Sequence, residues 1–106
     1  MFINSIGMEF KANLPVVISK QGNRHVAYCP ILDISTSGKS EAEAKARFAE
    51  LVPLFFEELE EAGTTRDVLS EMGWTPVGPA NGRSIVDWKQ PKIKSAHMQV
   101  RIPVAV

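Results

Sequence analysis

The sequence predicts an α+β domain built from a three-stranded antiparallel sheet, one long helix, a short helix and a C-terminal strand. Three observations carry this. Apolar residues alternate on both sides of a Gly22-Asn23 turn, a 3.6-residue period runs over residues 44–62, and alternation returns at Met98, Val100, Ile102 and Val104. At 106 residues and 44% hydrophobic, the chain can bury one small core. We read it as one domain with its core over 8–74, a loop or arm over 75–96 and the last strand over 97–105.

Residues 1–7 carry no period, and Met1 and Met8 both offer a start. From residue 8 the even positions are Met8, Phe10, Ala12, Leu14, Val16 and Ile18, the signature of a half-buried strand. Pro15 interrupts it and, lacking an N–H, places it at an edge or breaks it there. Residues 20–24 read as a hairpin turn, 25–29 as the second strand ended by Pro30, and 32–37 as the third.

Ser40 and Glu43 have the spacing of a capping box, which starts the long helix. Ala44, Phe48, Leu51, Val52, Phe55, Leu59 and Ala62 share one face, with Phe56 at its margin. Glu43, Glu50, Glu57 and Glu61 share the opposite face, and Leu54 projects among them. Pro53 is expected to kink this helix or split it. Gly63 should end it, Thr64 or Thr65 should cap a second helix closed by Gly73, and Trp74 should cover one end of the core. Residues 75–95 hold Pro76, Gly78, Pro79, Gly82 and Pro91 without a sustained period, which reads as an arm or functional loop.

Formal net charge is zero, so no global basic excess recommends nucleic acid. The distribution is uneven. Residues 40–72 hold nine acidic and three basic side chains, whereas 73–106 hold five basic residues against Asp87 alone. Two readings stand side by side: solvated faces, or an acidic surface shaped for a basic partner, with Glu50, Leu54, Glu57 and Glu61 as its candidate residues. No apolar run approaches a bilayer span, no secretory signal pattern opens the chain, and the one cysteine, Cys29, fits a reducing cytoplasm.

The chemistry-bearing patterns are incomplete. Residues 33–40 end in the Gly-Lys-Ser of a phosphate-binding loop, but Asp33 replaces its first glycine and would repel phosphate. His25, Cys29 and His97 form no recognised metal-ligand pair, and no nucleophile has a partnering base in evidence. Asp33 is too isolated for two-metal nuclease chemistry. No catalytic residue, metal or cofactor is expected.

Ala27-Tyr28-Cys29-Pro30, Leu32-Asp33-Ile34-Ser35, Gly38 and Ser40-Glu41-Ala42-Glu43-Ala44 form a pattern that resembles the HicB-like antitoxins of type II toxin-antitoxin systems. The match continues through Phe55-Phe56-Glu57-Glu58-Leu59 and Leu69 to Gly73-Trp74, about two-thirds of the chain. The resemblance implies a degenerate RNase H-like fold, and direct binding of a HicA-type toxin, a small basic mRNA-cleaving protein, by steric occlusion. It also implies self-association, for which Met98, Val100, Ile102 and Val104 are the candidate strand. Many family members carry a C-terminal helix-turn-helix or ribbon-helix-helix. Met98 to Ile102 is similar to the strand of the latter, but its helices do not follow, so operator binding is not expected. The alternative is an orphan oligomeric binding or structural domain without a toxin.

Overall fold

The computed structural model describes residues 12–77 and 87–105. The architecture is α+β. A sheet of order β1-β2-β3 is built from Val17–Gln21, Arg24–Cys29 and Ile34–Gly38, and all its neighbours are antiparallel. Helix α1 (Glu41–Ala62) and helix α2 (Thr65–Glu71) follow, and a separate two-stranded ribbon pairs β4 (Thr75–Val77) with β5 (Asp87–Lys89).

The β1–β2 hairpin closes at Gly22-Asn23, with Gln21 opposite Arg24. Gly22 takes φ +61° and Asn23 does not share the positive φ, the pattern of a II′ turn that glycine accepts at its first central position. β1 begins only after Pro15, because proline leaves the ladder short of a donor. The expected strand positions Met8 and Phe10 lie outside the described residues, but Leu14, Val16 and Ile18 all turn toward the core as the alternation requires. The third strand starts at Ile34 rather than residue 32. The reason is the backbone at Asp33, whose φ of 53° lies in the left-handed region and bends the chain. Ile31 and Leu32 thereby drop into the core from the turn itself.

Ala27, Cys29, Ile31, Leu32, Ala44, Phe48, Leu69 and Trp74 are buried together. Leu32 and Leu69 are enclosed almost completely, and each contributes about 1.5–3 kcal/mol by leaving water. Around them, Leu14, Val16, Ile18, Val52, Phe55, Phe56, Leu59 and Trp88 are half-buried. Phe56 thus joins the core margin, while Ala62 is exposed.

Helix α1 is unbroken over 22 residues and contains Pro53, so the expected split does not occur. Pro53 is exposed on the outer side, where its ring meets solvent rather than the core. The helix ends in a Schellman motif: Gly63 takes φ 69°, its N–H reaches Glu60 O at 3.1 Å, and Thr64 N–H reaches Leu59 O at 2.9 Å. The same pair of bonds closes α2, from Gly73 to Ser70 O and from Trp74 to Leu69 O. Thr64 stands at the N-cap of α2 without a side-chain cap bond.

Two expectations about the C-terminal third change. Residues 75–96 are not structureless: β4 and β5 pair across residues 78–86, which lie outside the described residues, and Trp88 reaches the core margin. Residues 97–105 form no strand within the chain. A strand requires a paired neighbour to satisfy its backbone groups, and this segment has none among the described residues; 92–105 are exposed throughout. The Cα radius of gyration is 17.3 Å, against about 13 Å for a compact domain of this length.

Candidate protein-interaction surface

The helix that covers the sheet is electrically divided along its length. In its first half, Glu41 pairs with Lys45 at 2.7 Å and Arg47 lies 3.7 Å from Glu43. Acidic residues in this first turn also complement the helix dipole. From residue 50 onward it carries Glu50, Glu57, Glu58, Glu60 and Glu61, and no basic residue stands in the last turn. There the charges sit at the negative end of the dipole, so the sequence masses like sign where the helix itself disfavours it.

Glu50, Leu54, Glu57 and Glu61 fall at helical spacing on one stripe. Glu50 and Glu61 are exposed, Glu57 is half-buried, and Leu54 is 57% exposed between them. The structure therefore keeps these four together on an outward surface. Glu43, which the periodicity placed with them, serves a different purpose. Ser40 Oγ accepts the Glu43 N–H at 3.1 Å, and Glu43 Oε1 accepts the Lys39 N–H at 2.8 Å. This is a capping box shifted by one residue, since the carboxylate reaches the amide before the cap rather than that of Ser40. The Lys39 N–H bond, foremost, holds the Glu43 carboxyl below its usual range, with Arg47 adding to it.

The same contacts decide the phosphate question. The Lys39 amide already binds a carboxylate, and Glu43 stands where an anion would have to approach. Gly38 is needed for packing, because a Cβ there would lie 2.7 Å from Ala44 N. Sequence reasoning missed this role; the signal was a glycine two residues before the cap, at the end of β3 where the chain turns into the helix.

On the sheet, Asp33 is exposed and accepts the Tyr28 hydroxyl at 3.1 Å. That bond, followed by partial desolvation, pushes the Tyr28 phenol up. Among the described residues, no three His, Cys, Asp or Glu side chains gather to hold a metal. His25 is half-buried and Cys29 fully so, on the same face of β2 but about 13 Å apart along the strand. Among the described residues, no helix is long and apolar enough to cross a membrane.

Met98, Val100, Ile102 and Val104 are 62–81% exposed, on a segment apart from the acidic stripe. No model of a known family, no curated protein and no solved structure matches the chain.

Proposed function

We propose that the protein is an antitoxin of HicB-like type that neutralises a small, basic, mRNA-cleaving toxin of HicA type by covering its working surface. The observation that carries this reading is the outer stripe of α1, where Glu50, Glu57 and Glu61 surround the exposed Leu54. Acidic charge around an apolar anchor is the complement of a basic RNA-binding face, and it supplies both steering and a desolvated contact. The resemblance of residues 27–74 to that family supports it as well, and so does an α+β fold with a helix laid on a three-stranded antiparallel sheet. Occlusion requires no chemistry from the antitoxin, and we assign it no catalytic residue, metal or cofactor. Its action is in the cytoplasm, where the toxin meets mRNA.

The test is co-expression with the toxin encoded beside it. Rescue of growth and co-purification are expected; continued toxicity with no co-purification would sink the reading. Reversing charge at Glu50, Glu57 and Glu61 should weaken binding and flatten its dependence on salt. Unchanged affinity would move the contact to another surface. The second reading is an oligomeric domain with no toxin, favoured by the apolar tail at Met98, Val100, Ile102 and Val104. An isolated gene without a short basic neighbour is its mark.

A further inference from the structure

Pro53 is the residue of α1 that the fold does not explain. It stands deep inside Glu41–Ala62, well past the first turn where a helix tolerates proline, and it is exposed, so packing against the sheet does not call for it. Proline costs a helix interior more than any other residue. The loss has a definite place. Proline carries no N–H, so the bond that position 53 would give to the carbonyl of Ala49, one turn back, cannot form, and the ring presses against that carbonyl. Side-chain donors that reach main-chain carbonyls among the described residues go to Ile31, Ser37, Leu59 and Asn13, and not to Ala49.

The surroundings of this carbonyl say what it can take. Ala46, Ala49, Glu50, Pro53 and Leu54 are all exposed and fall on one side of the helix at helical spacing. Ala46 and Ala49 present only methyl groups, so a side chain from outside can approach the backbone closely here. Glu50 follows Ala49 directly, and Leu54 lies one turn beyond Glu50. The place therefore combines a main-chain acceptor, a carboxylate and an apolar shelf made by the Pro53 ring and Leu54. Both polar groups accept, so the occupant must donate, and the acids Glu57, Glu58 and Glu61 farther along the helix require that it be cationic. Between the two cationic side chains the geometry chooses. A lysine ammonium is one strongly hydrated point charge, whereas the planar guanidinium of arginine can divide its five N–H donors between two acceptors while its stem lies on an apolar surface.

We propose that the Ala49 carbonyl and the Glu50 carboxylate together receive one arginine of the basic partner, whose methylene stem lies across Pro53 and Leu54. The inference deepens the reading of the outer stripe as the toxin-binding surface and rests on it. Pro53 is then a positioning residue: it keeps position 53 from occupying the acceptor that the partner needs. Helix stability is given up at this turn, and affinity is gained at the surface.

The test reads stability and binding in opposite directions. Pro53→Ala restores an N–H opposite the Ala49 carbonyl. The free full-length protein should then melt higher by roughly 5 °C or more, and calorimetry should show it binding the small basic protein encoded beside it about tenfold more weakly than the wild type does. A second copy, made by semisynthesis with L-lactic acid at position 53, has the side chain of alanine but no N–H. It should recover most of the affinity lost in Pro53→Ala. Unchanged binding by Pro53→Ala overturns the proposal, since water alone then occupies the carbonyl. A lactic acid copy that binds as weakly as Pro53→Ala also overturns it, since the partner then touches the ring and not the carbonyl. Failure of the wild type itself to bind overturns the toxin reading and takes this subsite with it, whereas wild type and Pro53→Ala binding alike overturns the subsite alone.

Discussion

Trp74 donates its indole N–H to the carbonyl of Ile31 across 2.7 Å in the buried core, 43 residues apart in sequence. Ile31 belongs to the turn between β2 and β3, and Trp74 follows the closing bonds of α2, so this bond holds the end of the helical layer against the sheet. Trp74→Phe leaves the Ile31 carbonyl without that donor and should cost about 1–3 kcal/mol in urea unfolding. Trp74→Ala also removes the ring and should cost about 3–5 kcal/mol. Equal costs for the two would show that ring packing contributes nothing beyond the bond.

Gly38 gives the second prediction. Its Cβ would meet Ala44 N at 2.7 Å and the Glu43 carbonyl carbon at 3.0 Å, both backbone atoms that cannot rotate aside. Gly38→Ala should therefore push the start of α1 off β3 and destabilise by about 1–3 kcal/mol. Thermal unfolding measures this. A neutral or stabilising result would mean that the corner opens freely.

The helix start predicts a pH dependence. Ser40→Ala should cost about 1 kcal/mol at every pH at which the domain folds. Glu43 behaves differently because the Lys39 N–H holds its carboxyl below the usual range. A depressed carboxyl contributes stability that is present above its unfolded value and is lost as pH falls through the folded one. Glu43→Gln should thus flatten the acid limb of a stability-pH curve without moving the neutral plateau upward. Glu41, lowered by its bond to Lys45, keeps part of the slope in that variant.

Much of this corner could be read from residue order, since Ser40, Glu43 and Gly63 act locally and local rules govern them. The sheet was legible for the same reason: the Gly22-Asn23 turn fixes its register, and a half-buried face shows as alternation. Periodicity failed where tertiary position decides. The wheel alone grouped Glu43 with the outer acids, whereas the Ser40–Glu43 spacing marked it as a capping residue; only its partner, the Lys39 N–H instead of that of Ser40, needed the fold. Periodicity placed a strand at 97–105 because alternation reports what a segment can do, while pairing depends on a neighbour elsewhere. Three-residue strands such as β4 and β5 are too short to show any period, and Pro76 inside one of them argues against it. The acidic stripe was visible as composition, and the exposure of Leu54 at its centre needed the fold.

Leu54 separates stability from binding. It is 57% exposed on the outer side of α1, and alanine is a good helix former, so Leu54→Ala should change folding stability by no more than about 0.5 kcal/mol. If the stripe is the toxin-binding surface, the same change should cost binding more than about 1 kcal/mol, since an apolar anchor is truncated. Calorimetry of binding beside chemical unfolding of the free protein reads both. Intact affinity removes Leu54 from the interface.

Tyr28 and Asp33 yield a prediction that a single absorbance titration can check. Tyr28 is the sole tyrosine, so phenolate absorbance reports on it alone. Its hydroxyl donates to Asp33, which raises the phenol because ionisation would discard that bond and set two negative charges together. Asp33→Asn keeps a residue tolerant of the left-handed backbone at φ 53° and removes the charge. The phenol should then titrate at a lower pH, nearer its ordinary value. For the wild type, a raised folded value means that the bond stabilises at pH below the unfolded value and ceases to as pH rises through the folded one. An unshifted titration in Asp33→Asn would place the cause of the raised phenol in desolvation, the next contributor at that site.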